Sequence, residues 1–452
     1  MKRQCFNDHW VFYKRDSDSK LKVTLPHDAQ IIQERDASAP GGSAHAFFPG
    51  GYYIYEKSFD VPAGWQDKCI SFQFEGVYKD AKVFINGKEA GGRPNGYTPF
   101  FVNGDDLLDY GAANTIRVEV DNVDLPNSRW YTGAGIYRPV WLWIGAKSHI
   151  EMEGIQISTL SISPARIKVK TAHVGGDVSV EIRENDAIIA KGDGDQIELD
   201  IPNAKLWSAE KPNLYTCHVT LSENGAIVDE VSETFGIREI TWSNKGLFIN
   251  GQETLLRGGC VHHDNGILGA RSFAKSEERR VRIMKEAGFN AIRSSHNLAS
   301  KGMIEACDKY GVYIIDETWD MWYSHKSKYD YATDFVDNWR DDIRAMVSRD
   351  YNHPSVIMYS IGNEVAEPAT AKGVDLAKEM VALLHSLDST RAVTAGMNLM
   401  ILSRSAKGNA IYKEDGGRDE SSEKKAQGMN STMFNIVASM VGTSMNMGAN
   451  SK

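Results

Sequence analysis

Polar and ionisable side chains follow apolar segments in the second half of the chain. The run SVIMYSIGNE, from Ser355 to Glu364, ends on Asn363 and Glu364. Burying an ionised carboxylate is costly unless the group is paired or put to use. A carboxyl group whose pKa is raised by burial can hold a proton near neutral pH and donate it to a leaving group. The position of Glu364 is therefore compatible with a general acid.

Three other apolar segments end in the same way. They supply His262 with His263 and Asp264, Arg293 with Ser295, His296 and Asn297, and Asp316 with Glu317, Trp319, Asp320 and Trp322. Each residue alone has a structural interpretation. A histidine after a strand is commonly a capping or core residue, Glu364 could face a helix dipole, and Arg293 could pair with Asp316 or Glu317. Fold maintenance does not readily explain all four segments together, so we interpret them as one site.

The elements that must position these residues are alternating strands and helices. After Thr241 the apolar strands are separated by amphipathic segments, including one capped by Ser276 and stopped by Gly288, and one that carries Phe335, Trp339 and Ile343 on one face. Short apolar strands joined by helices predict parallel strands buried on both faces. A (β/α)8 TIM barrel is the favoured closure, with a doubly wound sheet as the alternative. In a barrel all carboxyl ends of the strands open on one face.

The first half of the chain consists of short β segments broken by Gly, Pro and Asn. Up to about residue 145 they predict a jelly-roll β-sandwich, with Asn86-Gly87 as a hairpin turn. From 146 to 240 their spacing predicts an immunoglobulin-like β-sandwich. That region lacks the antibody disulfide, since Cys217 is its single cysteine. The predicted domains are therefore 1–145, 146–240 and 241–452.

Composition and charge exclude several classes of protein. The chain has 452 residues and a net charge of -9, which argues against nucleic acid as a main partner. Five scattered cysteines without CxxC spacing argue against a disulfide framework or a zinc knuckle, and Cys260 and Cys307 are expected to be buried. No segment predicts a membrane span or a signal peptide. A start placed after a removed signal would look the same, so the compartment stays open between cytoplasmic and periplasmic or secreted.

Four motifs carry a resemblance to a known family. The segments RDYNHPSVIMYSIGNE, NAIRSSHN, RGGCVHHD and DETWDMW resemble glycoside hydrolase family 2, which includes β-galactosidases, β-glucuronidases and β-mannosidases. TGAGIYRPVWL (Thr132 to Leu142) resembles the end of that family's first domain, and the predicted domain order is also the family's order. One departure is Tyr359, where many members carry tryptophan.

The resemblance implies a retaining, exo-acting β-glycosidase that hydrolyses terminal β-linked sugars, most similar to a β-galactosidase. It gives Glu364 the role of general acid/base and Asn363 a hydrogen bond to the sugar 2-hydroxyl. It places His262 and His296 against the sugar and gives Arg293 an orienting role. Trp319 and Trp322 fit a subsite wall and a core role equally well, and Asp316 joins the expected substrate-binding set. No cofactor and no metal is expected.

Other functions remain open from the sequence. A non-catalytic carbohydrate-binding protein would keep the sandwiches but would not need Asn363 and Glu364 beside Arg293. A metal-dependent lyase would need carboxylates on successive strands, and Asp316 with Glu317 offers a weak version of that pattern. The β-glucuronidase and β-mannosidase activities of the same family, and a homo-oligomeric state, also stay open.

Only five barrel strands can be counted, the last being AVTAGM near Ala392, whereas a closed barrel needs eight. Some 55 residues follow Met397 and include a helix-like run, STMFNIVASMVGTSMN. No predicted strand among these residues ends on a glutamate. Glu414, Glu420 and Glu423 lie in a charged stretch and are not credible nucleophiles. We therefore expect the barrel to be incomplete at its C-terminal side, the nucleophile to be missing, and residues 1–452 alone to show no turnover and an exposed sheet edge.

Overall fold

In the computed structural model, which describes residues 1–412 and 414, the first region contains two antiparallel sheets around one core. Its strands are β1 (Lys2–Cys5), β2 (Trp10–Lys14), β3 (Leu21–Val23), β4 (Gly51–Val61), β5 (Cys69–Phe74), β6 (Ala81–Ile85), β7 (Lys88–Arg93), β8 (Phe100–Asn103), β9 (Ala112–Asn122) and β10 (Val140–Gly145). The strand orders are β1-β10-β5-β8 and β3-β2-β4-β9-β6-β7. Two short 3-10 helices, Gly42–His45 and Ala63–Trp65, lie in the connections.

Alternation of apolar and polar residues explains why these strands form a two-layer structure. In β9, Ile116, Val118 and Val120 are fully buried while their neighbours face outward, as expected for a strand covered on one face. Asn86 and Gly87 both have left-handed φ values, 49° and 78°, and join β6 to β7. The hairpin predicted from the sequence is therefore confirmed.

The second region again has two antiparallel sheets that share a core. Its strands are β11 (His149–Ile162), β12 (Ala165–Val174), β13 (Asp177–Glu184), β14 (Ala187–Asp193), β15 (Gln196–Asp200), β16 (Tyr215–Glu223) and β17 (Ala226–Phe235). The sheets run β11-β12-β15 and β14-β13-β16-β17. Cys217 is buried in this core as a free thiol.

The third region begins with a small antiparallel sheet and continues as alternating strands and helices. The small sheet is β18 (Ile240–Ser243), β19 (Gly246–Ile249) and β20 (Gln252–Glu253). The parallel strands are β21 (Gly258–Val261), β22 (Ala291–Ser294), β23 (Tyr313–Glu317), β24 (Val356–Asn363) and β25 (Ala392–Gly396), paired in chain order. The helices are α1 (Ala274–Glu286), α2 (Lys301–Tyr310), α3 (Ala332–Asp350), α4 (Ala371–Leu387) and α5 (Leu399–Ala406), with 3-10 turns at Gly266–Leu268 and Glu367–Ala369.

Local signals set most of the helix ends. The Ser300 hydroxyl accepts from the amide of Met303 at the start of α2, and Gly311, with φ 71°, ends that helix. Helix α1 starts earlier than predicted, at Ala274. Ser276 is therefore not its N-cap, and its hydroxyl instead bonds back to the backbone of Phe273. Helix α5 was not predicted, although Asn398 caps it.

The expected burial of Cys260 is wrong, whereas Cys307 is buried as predicted. Cys260 lies on β21, and within residues 1–412 no strand pairs with the outer edge of β21 or of β25. The side chains of β21 are therefore open to solvent. The predicted helix-like run near residue 431, Glu420 and Glu423 lie outside the described residues. Over the described part of the chain, no helix has the length and apolar character needed to cross a membrane.

Buried contacts fix the first β region against the parallel sheet. Arg93 pairs with Asp342 at 2.5 Å, and the buried Arg138 donates to the Leu298 carbonyl at 2.7 Å. Asp28 accepts from the amide of Ala270 at 2.8 Å. These contacts lie close to the carboxyl ends of the parallel strands, so the first region borders the site described next.

Candidate active site

The carboxyl ends of β21 to β24 lie side by side, because the strands are parallel and in register. Val261 pairs with Ser294, and Glu317 pairs with Ser360. The polar residues that end each strand therefore meet at one edge of the sheet, as the sequence predicted.

Glu317 is the buried carboxylate on which several of these residues converge. Its side chain has no exposed surface, and it accepts from Arg293 Nε at 3.0 Å, His296 Nδ1 at 2.7 Å and Ser360 Oγ at 2.5 Å. Burial alone would lower the pKa of Arg293, but the Glu317 carboxylate outweighs burial and raises it. Of the two partners that the sequence left open for Arg293, the structure selects Glu317.

Arg293 also connects Glu317 to Asn363. Its Nη2 donates to Asn363 Oδ1 at 3.1 Å, while Asn363 Nδ2 donates to Asp320 Oδ1 at 2.8 Å. The orientation of the Asn363 amide is therefore set from both sides. A Cβ atom on Gly396 would lie 2.5 Å from Arg293 Nη2, so only glycine lets β25 pass this close to the guanidinium.

Glu364 follows directly after β24 and leaves the strand with a left-handed φ of 46°. Its amide donates to the Gly396 carbonyl at 2.5 Å, and Oε1 accepts from Asn398 Nδ2 at 2.9 Å. Arg129 Nη1 lies 4.0 Å from Oε2. The expectation that this carboxylate is desolvated is wrong for the described residues: 36% of its side chain is exposed, because the turn takes Glu364 out of the buried strand.

Two histidines and a tryptophan form the next part of the site. The rings of His262 and His296 have centroids 5.6 Å apart, and the Trp130 ring lies 4.9 Å from His262 and 5.7 Å from His296. Burial and the neighbouring His296 both lower the pKa of His262. His262 is therefore neutral at neutral pH and can both donate and accept hydrogen bonds.

Not all of the predicted substrate contacts lie at this edge. Trp322 is fully buried in the core and donates to the Ile361 carbonyl at 2.6 Å, which decides its role in favour of packing. Asp316 has no exposed surface and binds Ser294 Oγ, the Ala299 amide and Arg349. Its predicted contact with substrate does not fit this enclosure. Trp319 is buried to 2% exposure, but it borders the cleft.

That cleft lies between the first β region and the parallel sheet. Its walls include Tyr97, Trp130, His296, Trp319 and Asp320. Aromatic side chains with polar groups between them are typical of pockets that bind small polar molecules.

Sequence reasoning missed Arg129 and Trp130, which come from the loop between β9 and β10. Arg129 donates to Asp320 from Nε at 2.9 Å and from Nη2 at 2.6 Å. Nothing in the local pattern NSRWYTGAG shows that it meets a strand end 191 residues later. Sequence reasoning also missed Lys326, a buried residue whose Nζ lies 3.1 Å from Asp320 Oδ1.

In the part of the chain that the structure describes, no group of three or more His, Cys, Asp or Glu side chains is placed to hold a metal ion. The residues at this edge can supply hydrogen bonds and transfer protons. A partly exposed carboxylate, an oriented amide and two histidines line one open edge.

Comparison with known proteins identifies the family. A family model described as "Glycosyl hydrolases family 2, TIM barrel domain" matches residues 240–432, and one described as "Glycosyl hydrolases family 2" matches residues 146–238. The chain belongs to glycoside hydrolase family 2. The parallel strands β21 to β25 are accordingly part of a family 2 TIM barrel, which confirms the barrel favoured by the sequence over a doubly wound sheet.

Individual family 2 proteins resemble the chain over most of its length. The beta-galactosidase BoGH2A of Bacteroides ovatus is 33% identical, covering 88% of this chain and 54% of that protein. A beta-glucuronidase of Bacteroides fragilis is 28% identical, covering 87% and 60%. The crystal structure of a glycosyl hydrolase family 2 member from Bacteroides cellulosilyticus superposes with a TM-score of 0.84 at 35% identity, covering 91% of this chain and 58% of that one. The chain thus spans little more than half the length of these relatives.

Proposed function

We propose that the chain belongs to a retaining, exo-acting β-glycosidase that hydrolyses terminal β-linked sugars, with β-galactosides as the first candidates. The observation that carries this proposal is the pair Asn363 and Glu364 at the end of β24. Asn363 contacts Arg293, and Arg293 shares the Glu317 carboxylate with His296, which lies on the wall of the cleft. A non-catalytic sugar-binding protein would not need a carboxylate at the open edge held by Asn398 and Arg129.

In the proposed reaction Glu364 acts first as the acid, holding its proton once the bound sugar has displaced the solvent around the carboxyl group. It donates its proton to the glycosidic oxygen while the bond from that oxygen to the anomeric carbon breaks and a second carboxylate attacks the anomeric carbon. Glu364, now ionised, then takes a proton from the water that releases the sugar. The partial exposure of Glu364 gives both the leaving group and the water access to it.

The sugar contacts follow from the hydrogen bonds already present. Asn363 Nδ2 gives one N–H to Asp320, and its second N–H is the proposed donor to the sugar 2-hydroxyl. His296 donates from Nδ1 to Glu317, which leaves Nε2 to accept from a sugar hydroxyl. His262 and Trp130 complete this side of the sugar, with Trp319 as a wall of the cleft.

The charges around the site favour a neutral sugar. Among the described residues, Arg293, Arg129 and Lys326 border it, and each is already paired with a carboxylate: Arg293 with Glu317, and both Arg129 and Lys326 with Asp320. The carboxylate of a uronic acid would have to share one of these cations with Glu317 or Asp320, and the like charge of that neighbour disfavours it. β-Galactosides therefore rank above β-glucuronides in this proposal.

We further propose that the nucleophile does not lie among residues 1–412. Asp316 and Glu317 are fully buried and hydrogen-bonded on both oxygens, and Asp320 is held by two cations. In the sequence after residue 412, Glu414, Glu420 and Glu423 lie in a charged stretch and are not credible nucleophiles. We therefore expect purified residues 1–452 to show no turnover. Normal hydrolysis by that protein would contradict this and return the search to Asp316 and Glu317.

We also propose the domain boundaries that the sequence predicts. Residues 1–145 form a jelly-roll domain, 146–240 an immunoglobulin-like domain and 241–452 part of the catalytic barrel. The two-sheet cores of the first two regions support this division.

The function is tested with a panel of aryl β-D-galactoside, β-D-glucuronide and β-D-mannoside on the natural polypeptide that carries these residues. We expect the galactoside to have the highest kcat/KM. Preference for the glucuronide would overturn the charge argument, and no hydrolysis of any of the three would overturn the proposed function.

A further inference from the structure

Arg129 is the residue of the first β region that enters the site most deeply. Its guanidinium binds both oxygens of Asp320 through Nε and Nη2. Its remaining nitrogen, Nη1, lies 4.0 Å from Oε2 of Glu364. One side chain from the first region thus contacts two carboxylates of the barrel.

Asp320 connects three parts of the chain. It is 2% exposed and accepts from Arg129, from Lys326 Nζ at 3.1 Å and from Asn363 Nδ2 at 2.8 Å. We call these four residues the Asp320 cluster. Because donors surround both of its oxygens, Asp320 is suited to hold other groups in place rather than to bind substrate.

The Asp320 cluster is hydrogen-bonded to the backbone next to Glu364. Lys326 Nζ donates to the Asn363 carbonyl at 2.6 Å, and the Asn363 amide donates to the Trp319 carbonyl at 3.1 Å. The Asn363 carbonyl belongs to the peptide that leads into Glu364. Any shift of Asp320 or Lys326 therefore moves that peptide.

We propose that Arg129 is a positioning residue for Glu364, acting through the Asp320 cluster, so that the first β region is part of the catalytic apparatus. The inference rests on the proposed glycosidase function for its kinetic consequence. Its structural consequence, order at Asn363 and Glu364, does not depend on any substrate.

A second ion pair between the same two regions provides a matched control. Arg93 pairs with Asp342 at 2.5 Å, and Asp342 also accepts from Asn95, Tyr331 and Trp319 Nε1. Among the described contacts, Arg93 meets no member of the Asp320 cluster. Arg93→Gln removes one charge from the same interface, as Arg129→Gln does, but it is linked to the Asn363 amide only indirectly, through Asp342 and Trp319.

The first test is hydrogen exchange of residues 356–366 in the 452-residue chain. We expect Arg129→Gln to speed exchange of the Asn363 and Glu364 amides roughly tenfold, the effect of losing a charged hydrogen bond. Arg129→Lys keeps the charge but not the bidentate contact with Asp320. Its exchange rates are expected to lie between those of the wild type and those of Arg129→Gln. Unchanged exchange in Arg129→Gln, or equal acceleration in Arg93→Gln, would overturn the proposal.

The second test is kinetic and uses the natural polypeptide. We expect Arg129→Gln to lower kcat on an alkyl β-galactoside by roughly 10²-fold, as expected for misplacement of a catalytic group, with KM changed less than kcat. A rise in KM alone would overturn the positioning role. If the wild-type protein hydrolyses no glycoside, the proposed function fails, and the exchange measurement alone decides the role of Arg129.

Discussion

His296 lies with its Nδ1 2.7 Å from Oε1 of Glu317, a carboxylate that has no exposed surface. An ionised carboxylate only accepts hydrogen bonds, so the Nδ1 of His296 carries the proton and Nε2 is left toward the cleft. The same carboxylate holds Arg293, and Arg293 holds Asn363. Glu317 thus orients His296 and Arg293 directly, and it orients Asn363 through Arg293.

Removing the charge of Glu317 is expected to destabilise the protein. In Glu317→Gln, Arg293 keeps a partly buried charge without its partner, so the loss should lie at the lower end of the about 3–5 kcal/mol typical of buried pairs. Guanidinium unfolding of the 452-residue chain measures this. Glu286→Gln, which removes an exposed partner of Arg282, is the control and should change the unfolding free energy by no more than about 0.5 kcal/mol. Similar losses in both variants would contradict the role of Glu317.

Glu364→Gln tests the acid role directly. Natural glycosides have poor leaving groups, so their hydrolysis by the natural polypeptide should fall by roughly 10²–10⁴-fold. Activated aryl glycosides need less protonation and should lose less in the glycosylation step. Glu379→Gln changes an exposed glutamate of α4 and should leave both rates unchanged. Equal losses on the two substrate types would count against the acid.

The reaction is expected to retain the anomeric configuration. Double displacement places the second carboxylate about 5–5.5 Å from the acid. A proton NMR time course on a β-galactoside should show the β-anomer of the sugar first. If the α-anomer is formed first, the mechanism is inverting.

Gly396→Ala tests how tightly Arg293 is held. The added methyl group would lie 2.5 Å from Arg293 Nη2, and Arg293 cannot retreat without breaking its bonds to Glu317 and Asn363. We expect kcat/KM to fall on the order of 10²-fold through misplacement of Asn363. Gly259→Ala, on β21, meets no atom within 4 Å and serves as the control. An unchanged kcat/KM in Gly396→Ala would show that Arg293 can move freely.

The protein is expected to lose stability in weak acid. Burial lowers the pKa of His27, His45 and His263 to about 4 in each case. Between their unfolded value near 6.5 and about 4 the unfolded chain binds more protons than the folded chain, so stability falls as the pH falls. Each histidine contributes about 1.4 kcal/mol per pH unit in that window. Unfolding at pH 7, 6 and 5 measures how steeply the unfolding free energy changes with pH. His45→Gln should reduce that slope by the contribution of one histidine.

Local patterns predicted much of the fold. The Asn86-Gly87 turn, the helix face that carries Phe335, Trp339 and Ile343, and the strand that ends on Asn363 are all specified by neighbouring residues. Periodicity also predicted parallel strands, and parallel pairing alone brings Arg293, Glu317 and Asn363 together. These features need no knowledge of distant contacts.

The parts that could not be predicted depend on contacts across the chain. Arg129 reaches Asp320 only because the first β region docks beside the barrel through contacts such as Arg138 to Leu298. Cys260 has the sequence pattern of a core residue but lies on an edge strand. Glu364 was expected to be desolvated because it ends an apolar run, whereas its left-handed backbone turns it toward solvent.

The order of residues along the chain gives the Arg129 contact a consequence for protein synthesis. Arg129 precedes Asp320 by 191 residues, and domains generally fold in turn from the N-terminus as the ribosome makes them. The first β region can therefore be complete, with Arg129 displayed on its surface, before the barrel loop that carries Asp320 has been translated. The loop then folds against a cation that is already in place. The site is therefore completed when the barrel has been synthesised, not when the first β region has folded.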